Sequence, residues 1–354
     1  MDLPSFKLQN LTIMNHLSNS LVLLLLSACF QHLTAQELSF CNWSNDKKGA
    51  VVLTFDDWLE GHEKLVVPEL LKRRLPATFF ITAQNTKWRK ESFPTMRMAF
   101  KNGSEIANHT LTHPDLTSIP FAMAKKEIAE TRQLILDSIP GAKSLTFAYP
   151  MGTKNQAIID YLKKEHIAAR AVTFANEVNI KYNFATEQND YYKIKTVRIW
   201  KAVPSRKLGG WLKYTEKGGG LLTFMIHSIY NDSIQPGWDG MPFKYFNGML
   251  DSIQNHQPHL WVTTLEKAVQ YHTEKRLTKI ETLYSDTNEI QFVLHSPLSD
   301  EKYFQPLTLK IASKRKGVKK VLLNQETVDF TFKEGEIKLQ INPLIKSQKI
   351  QFIY

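Results

Sequence analysis

The sequence predicts an α/β protein in which a parallel sheet or barrel is followed by a small all-β domain. From residue 50, short apolar runs alternate with amphipathic stretches, and after about residue 276 the runs become short, alternating and separated by turn residues. The 354 residues are 43% hydrophobic, so the chain has enough apolar side chains for a substantial core. We place the boundary between the two predicted domains, 36–275 and 276–354, at this change of pattern.

The alternation begins with residues 51–55, which are apolar at nearly every position, as in a strand covered on both faces of a parallel sheet. Residues 60–74 then carry leucine and valine on one side, which predicts a helix. Further strands are predicted over 77–82, 104–108, 143–148, 168–174, 191–200 and 221–227, and further helices over 93–102, 121–136, 155–165 and 264–275. In such a fold, ligands bind at the carboxyl ends of the strands.

The last roughly eighty residues predict a small β-sandwich. Their apolar side chains alternate with polar ones over residues 290–294, 307–311, 318–323, 327–332, 336–341 and 349–353. Several of their aromatic residues fall in alternating strand positions that look like core. We therefore expect residues 276–354 to brace the preceding domain.

The amino terminus predicts export. Residues 21–30 form an apolar run of ten residues, too short to span a bilayer, and small residues follow near Ala35. We interpret residues 1–35 as a signal peptide, which places the mature chain in the periplasm, the cell envelope or the extracellular space, with no transmembrane span. Residues 26–29 also match a lipobox, so a lipid anchor at Cys29 is the alternative.

The charge and the cysteines limit the function classes. The formal net charge is +11, which suits an exported protein that meets anionic envelopes or acidic polymers. No basic helix with interleaved aromatics is present, and the signal peptide argues against nucleic-acid binding. If cleavage follows Ala35, only Cys41 remains, which excludes an intramolecular disulfide. The sequence indicates no particular oligomeric state.

Chemistry-bearing residues cluster at the ends of four predicted strands. The clusters are Asp56 and Asp57 in VVLTFDDWLEGH, His109 and His113 in NHTLTHP, residues 149–152 in FAYPMG, and His227 in LLTFMIHS. Two imidazoles and a carboxylate suit a divalent metal such as zinc, with room left for water. A second carboxylate can then act as a base and a distant histidine as an acid. Adjacent aspartates are reasonable if a cation lies beside them.

The histidine pair predicts a turn rather than a helix. Residues four apart would share one helical face. Pro114, however, disfavours helical geometry at His113. We therefore expect a tight turn between His109 and His113.

In this order and at these strand ends, the four clusters resemble those of the polysaccharide deacetylase family (NodB homology domain, carbohydrate esterase family 4). The resemblance covers about residues 48–275 and excludes the β tail. It implies a distorted (β/α) barrel of the polysaccharide deacetylase type as the catalytic domain. It also implies a role for each residue: Asp56 as general base, His227 as general acid, Asp57, His109 and His113 as metal ligands, and the backbone at Tyr149 or Met151 as oxyanion donor. The metal is expected to be Zn²⁺, with Co²⁺ or Ni²⁺ as alternatives.

The sequence departs from the family pattern at three places. Trp58 stands where glycine is usual, and it is either a face for a sugar ring, together with Tyr149, or a packing residue. Ala148 stands where an arginine usually orients the base, and we expect Arg170 or Arg198 to replace it. The usual aspartate–tryptophan motif is not recognisable. Further candidates for stacking on sugar are Trp88, Trp200, Trp211 and Trp238.

The resemblance implies a hydrolase that acts on carbon–nitrogen bonds other than peptide bonds. The expected reaction is metal-dependent removal of acetyl groups from a carbohydrate, most simply N-deacetylation of an N-acetylglucosamine-containing polysaccharide or oligosaccharide. Two alternatives remain: an esterase for O-acetyl groups on xylan-like glycans, and a catalytically weak carbohydrate-binding protein on the same fold.

Overall fold

The computed structural model describes residues 36–87, 92–172, 190–200, 203–299, 301–313 and 316–354. The predicted signal peptide with Cys29, the side chain of Trp88 and the end of the strand predicted over 168–174 lie outside these residues. Within the described part of the chain, none of the helices combines the length and apolar character needed to cross a membrane.

The first part of the chain alternates strands with helices, as predicted. The strands are β1 (Leu38–Phe40), β2 (Gly49–Asp56), β3 (Thr78–Ile81), β4 (Glu105–Asn108), β5 (Thr146–Ala148), β6 (Ala168–Arg170), β7 (Val197–Ile199), β8 (Leu221–Ile226), β9 (Ile229–Tyr230), β10 (Met241–Pro242) and β11 (Leu260–Thr263). The helices are α1 (Val67–Arg73), α2 (Ala83–Lys87), α3 (Ser92–Lys101), α4 (Phe121–Ser138), α5 (Gln156–Glu165), α6 (Ser205–Gly218), α7 (Phe243–His256) and α8 (Leu265–Leu277). A π-helical turn, His62–Val66, leads into α1.

Eight parallel strands form the central sheet. Their order is β6-β5-β4-β3-β2-β8-β7, and β11 pairs with the first half of β2. The segment 194–199 joins the two edges, because Ile194 pairs with Arg170 of β6 and residues 197–199 pair with β8. The sheet therefore closes into a distorted barrel, which confirms the predicted (β/α) barrel.

The two faces of β2 explain why this strand is apolar throughout. Val51, Leu53 and Phe55 belong to the core cluster that includes side chains of α1, α3, α6 and α7. Val52 faces the other way, into a second cluster that continues through the barrel to the C-terminal sheets. Asp56 follows Val52 at an even spacing and so points into the barrel. All eight residues of β2 are buried.

The C-terminal part is all-β, as predicted. Its strands are β12 (Lys279–Ser285), β13 (Glu289–His295), β14 (Leu307–Ala312), β15 (Lys320–Leu323), β16 (Glu326–Val328), β17 (Phe330–Lys333), β18 (Glu336–Ile341) and β19 (Ser347–Ile353). They form two antiparallel sheets, ordered β1-β14-β18-β17 and β12-β13-β19-β15-β16, with apolar residues from both sheets in one cluster. The short strand β1 precedes the barrel in the chain but completes the first of these sheets.

Helix α8 connects the barrel to the C-terminal sheets and is buried on nearly every side. The Leu265 backbone N–H donates to Thr78 Oγ1 inside the barrel, while the Tyr271 hydroxyl donates to the carbonyl of Cys41 beside the sandwich. A helix buried all round lies in the middle of a core. The two parts therefore share one continuous core, in keeping with the expected bracing role.

Candidate active site

A cavity of about 510 Å³ opens where the carboxyl ends of the barrel strands meet. All four clusters identified in the sequence contribute to it. Its walls are formed by Asp56, Asp57, His109, His113, Tyr149, Met151, Val172, Arg198, Met225, His227 and Trp238. Residues far apart in the sequence thus face one space, because successive parallel strands end at the same rim.

Asp57, His109 and His113 form a group whose potential ligand atoms lie within 4.8 Å of one another. Nε2 of each histidine is 3.8 Å from Oδ1 of Asp57. Ligands of a tetrahedral zinc site at about 2.0–2.1 Å from the metal are separated by roughly 3.4 Å, so these residues fit a divalent cation with small adjustments. The set of two imidazoles and one carboxylate also leaves coordination positions open.

The ring of His109 is oriented for metal binding. Its Nδ1–H donates to the carbonyl of Ala148 at 2.8 Å, which leaves Nε2 unprotonated and facing Asp57. Burial lowers the pKa of His109, which favours the neutral form that binds metals. The chain around His113 is a turn, as expected from Pro114, with the His113 N–H donating to Thr110 Oγ1 and a φ of 63° at His113.

Asp56 lies beside this trio and is buried against Arg170. Arg170 Nη2 donates to Asp56 Oδ2, and the guanidinium is wholly buried. Burial alone would raise the pKa of Asp56, but the positive charge of Arg170 and its hydrogen bond to Oδ2 oppose this effect, and the pKa lies below its usual range. The second oxygen, Oδ1, makes no hydrogen bond to any described residue. Asp56 is thus ionised, oriented through one oxygen and available through the other.

His227 lies opposite, between Asp56 and Asp239. Its Nε2 is 3.7 Å from Asp56 Oδ2, and its Nδ1 is 3.5 Å from Asp239 Oδ2. Asp239 also accepts two hydrogen bonds from Arg198, of 2.6 and 2.7 Å. Of the two arginines expected to orient the base, Arg170 therefore contacts Asp56, while Arg198 pairs with Asp239 beside His227.

A comparison with family models gives a match to "Polysaccharide deacetylase" over residues 44–183. This stretch contains Asp56, the proposed metal ligands and Arg170. Residues 44–183 are therefore similar to the polysaccharide deacetylase family. The late histidine, His227, lies beyond the matched stretch but on the wall of the same cavity.

Curated relatives are similar to parts of this chain. The chitooligosaccharide deacetylase of Rhizobium leguminosarum bv. trifolii is 33% identical over 29% of this chain and 47% of its own length. A gellan lyase of Bacillus sp is 22% identical over 76% of this chain and 11% of its own length. The chain thus spans about half or less of these relatives. The solved peptidoglycan deacetylase PdaC from Bacillus subtilis gives a TM-score of 0.41 at 18% identity, covering 64% of this chain and 93% of that chain.

The backbone N–H groups of Tyr149 and Met151, the two predicted oxyanion donors in the FAYPMG turn, differ in whether they already donate within the protein. The Tyr149 N–H already donates to the carbonyl of Arg170 at 3.2 Å, which leaves Met151 as the predicted donor. Met151 adopts a φ of 56°, and its side chain is 64% exposed at the cavity. The ring of Tyr149 forms part of the wall, but its hydroxyl donates to the carbonyl of Tyr192. Burial raises the pKa of that hydroxyl, so Tyr149 remains a neutral wall residue.

Of the two roles left open for Trp58, the structure shows the packing role, and the alternative of a ring that faces a sugar is wrong. Its side chain is wholly buried, lies 5.2 Å from the ring of Phe79 and donates through Nε1 to Glu63. The left-handed backbone at Trp58, with a φ of 54°, turns the ring into the core cluster that includes the helices. Trp238, by contrast, is 69% exposed and lines the cavity.

Asp239 is not among the residues predicted from the sequence, because no periodic pattern surrounds it. The residue lies in a turn, 237–240, that is fixed to the residue following His227. Ser228 Oγ accepts from the Gly237 N–H at 3.0 Å, and the Met241 N–H donates to the Ser228 carbonyl at 2.9 Å. The available signal was the turn sequence PGWDG, which places an aromatic and a carboxylate between two glycines.

Proposed function

We propose that this chain is a metal-dependent hydrolase that removes acetyl groups from a carbohydrate. The substrate is an N-acetylglucosamine-containing polysaccharide or oligosaccharide, and the products are the free amine and acetate. The observation that carries the proposal is the metal-binding trio beside a buried base and a histidine in one cavity. The relatives described as chitooligosaccharide deacetylases support an amide over an ester substrate.

Asp57, His109 and His113 would hold the cation, which we propose to be Zn²⁺. A bound cation of this kind polarises a carbonyl group and makes water a stronger acid. Thr82 donates to Asp57 Oδ1 at 3.1 Å, and Ala148 orients His109. Such surrounding hydrogen bonds keep ligands in place.

Proton transfer is assigned to the two residues on either side of the cavity. Asp56 accepts the proton of the attacking water on Oδ1, while Arg170 holds Oδ2. His227 then donates a proton to the departing nitrogen, so that the C–N bond breaks to a neutral amine. The 3.7 Å between His227 Nε2 and Asp56 Oδ2 leaves both residues within reach of one small acetyl group.

Two exposed apolar side chains on the cavity wall supply the sugar-binding surface. Trp238 is 69% exposed and Met151 is 64% exposed. Arg198 lies 5.7 Å from the Trp238 ring centroid, so the ring is supported from the protein side. An indole held in this way offers its free face to a pyranose ring. The Met151 N–H would donate to the oxygen that becomes negative in the transition state.

The test is acetate release from N-acetylglucosamine oligomers by the purified protein supplied with zinc. We expect Asp56→Asn to lower kcat by at least about 10²-fold, because it removes the base. His109→Ala is expected to lower the bound zinc below one equivalent per chain. The matched control is Asp160→Asn, which removes an exposed carboxylate on α5 that pairs with Lys163 and Gln156 of the same helix. An Asp56→Asn protein as active as wild type would refute the assignment.

The two alternatives are outcomes of the same assay. Acetate release from O-acetylated xylan without release from N-acetyl oligomers would indicate an esterase. Retained glycan binding without any turnover would indicate a binding protein. The contact of Arg170 with Asp56 favours the enzyme, because it supplies the arginine that the FAYPMG turn lacks.

We also propose that the protein acts outside the cytoplasm, in line with the signal peptide predicted over residues 1–35. Sequencing of the mature amino terminus after expression in the native host would test this proposal. Cleavage after Ala35 is the expected result, and a lipidated Cys29 as first residue would establish the anchored alternative.

A further inference from the structure

His62 is a buried imidazole that has no part in the proton transfers described above. Its side chain is wholly buried, with the rings of Phe55 and Phe79 at 5.4 and 6.2 Å. It begins the π-helical turn that follows the doubled aspartate. Burial lowers the pKa of His62 to about 4, so the ring is neutral near neutral pH.

Both ring nitrogens of His62 are used, and each has only one possible role. The Leu59 N–H donates to Nδ1 at 3.1 Å, and Nε2 lies 2.6 Å from the carbonyl oxygen of His227. A backbone N–H can only donate and a carbonyl can only accept, so Nδ1 is the acceptor and Nε2 carries the proton. One neutral ring thus joins the turn after Asp57 to the backbone of His227.

This cross-link lies where the sheet can no longer hold the two segments together. The ladder between β2 and β8 ends at the pair Phe55 and Ile226, one residue before Asp56 and His227 respectively. Beyond it, the chain around Gly61 packs directly on Ile229, since a Cβ added to Gly61 would lie 2.0 Å from the Ile229 carbonyl oxygen. His62 is therefore set within a tight backbone contact between the base side and the acid side of the cavity.

We propose that His62 is a positioning residue for the proton donor. By fixing the His227 carbonyl relative to the Asp56–Asp57 turn, it keeps the imidazole of His227 at the distance from which it can protonate a leaving group. This inference rests on the proposed function. It predicts a selective defect, because an amine or sugar alkoxide must be protonated as it leaves, whereas a nitrophenolate leaves without help.

Two substitutions test the two hydrogen bonds of His62 one at a time. The amide oxygen of His62→Asn can reach the Leu59 N–H, as Nδ1 does, but its side chain is too short to reach the His227 carbonyl. The longer His62→Gln can place its amide N–H near the position of Nε2 and restore that bond. His166→Asn is the matched control, because His166 is equally buried and neutral, with a pKa lowered to about 3, and packs against Phe147.

The experiment measures kcat and KM of zinc-loaded protein on N-acetylglucosamine oligomers and on 4-nitrophenyl acetate. We expect His62→Asn to lower kcat on the oligomers by about 10- to 100-fold and on the aryl ester by no more than about 2-fold, with KM unchanged. His62→Gln should recover most of the oligomer activity. His166→Asn should change both activities by the same factor. If His166→Asn does not fold, the comparison of His62→Gln with wild type still tests the proposal. A selective loss of oligomer activity in His62→Gln as large as the loss in His62→Asn would contradict it.

Equal losses on the two substrates for His62→Asn, in protein that melts as wild type and binds zinc fully, would overturn the positioning role. A wild-type protein without oligomer turnover would instead refute the proposed function. In that event, the same comparison between an O-acetylated glycan and the aryl ester decides the role of His62, because a sugar alkoxide also requires a proton. A chain that hydrolyses none of these substrates would overturn both proposals.

Discussion

Arg170 and Ala148 are direct partners in the parallel ladder between β5 and β6, and the guanidinium of Arg170 reaches Asp56. Neighbours in a ladder project from the same face of a sheet. The position from which the family arginine normally orients the base is therefore held here by alanine, and the arginine comes from the adjacent strand. The small side chain of Ala148 leaves room for it.

This relationship predicts a rescue by exchange. We expect Arg170→Ala to lower kcat for deacetylation by about 10²-fold or more and to destabilise the fold by roughly 3–5 kcal/mol, because it leaves a buried carboxylate unpaired. The pKa of Asp56 should rise without its cationic neighbour, so the acidic limb of the pH–rate profile should move to higher pH. Arg170→Ala combined with Ala148→Arg should recover part of the activity.

One outcome of the exchange of Arg170 and Ala148 would contradict this interpretation. A double variant no more active than Arg170→Ala, although folded, would show that Arg170 does more than carry a charge to Asp56. The control is Ala148→Arg alone, which should be harmful because two guanidinium groups would compete for one buried site.

From the position of Asp239 we expect a second effect, on proton donation by His227. Its carboxylate lies 3.5 Å from His227 Nδ1 and is held by both donors of Arg198. Asp239→Asn removes the carboxylate that lies beside Nδ1 of His227, the proposed proton donor, so we expect kcat for the amide to fall by about 10-fold or more while 4-nitrophenyl acetate hydrolysis changes little. Steady-state kinetics on both substrates checks this. Equal effects on both substrates would exclude a role through the acid.

Trp238 predicts a binding effect that depends on the sugar. We expect Trp238→Ala to raise KM for N-acetylglucosamine oligomers by about 10-fold, because stacking with an aromatic ring contributes roughly 1 kcal/mol or more. KM for 4-nitrophenyl acetate should be unchanged, and Trp238→Phe should recover part of the loss. If oligomers bind to the alanine variant as to wild type, the sugar lies elsewhere.

Glu274 predicts how stability depends on pH. The side chain is buried in α8, Oε1 accepts from the Gln305 N–H, and Oε2 has no hydrogen-bond partner among the described residues. Burial raises its pKa from 4.5 to about 8. A pKa that is higher in the folded state contributes stability below about 4.5, and this contribution is lost as the pH rises through about 8.

Glu274→Gln keeps an acceptor for the Gln305 N–H and removes the buried charge. We expect the variant to melt higher than wild type at about pH 9, by an amount corresponding to roughly 1–3 kcal/mol, and to melt like wild type near pH 4. Thermal melting across this pH range is the measurement. A difference in Tm between the variant and wild type that does not grow with pH would contradict the raised pKa of the buried Glu274 carboxyl.

The regular part of the fold could be predicted because its signals are local. The strand at residues 51–55 is apolar throughout because both its faces are covered, and that pattern is visible in any window. Helices α6 and α7 were not predicted, since they contain Gly209, Gly210 and Gly248, which disfavour helices, and their stability comes from packing of residues such as Leu212 and Phe246. Strand β1 has three residues and pairs with β14 from the far end of the chain.

The site residues also divide into those with a local sequence signal and those that depend on distant contacts. Asp57, His109 and His113 were found through motifs that place them at strand ends, and the structure brings them together. The choice between Arg170 and Arg198 depends on which strands are neighbours, which no local pattern contains. For Trp58 the sequence left a sugar-facing role and a packing role open, and the left-handed turn that carries the residue points the side chain inward. The cross-link through His62 required both partners of the ring to be known.

Acetate release from N-acetylglucosamine oligomers, measured for apo and zinc-loaded protein alongside Asp56→Asn, decides whether this chain is a metal-dependent deacetylase. We expect zinc-dependent release by wild type, loss on chelation, recovery when zinc is restored, and at least about a 10²-fold loss in Asp56→Asn. Release that persists after complete removal of the metal, or that is unaffected by Asp56→Asn, would contradict this proposal.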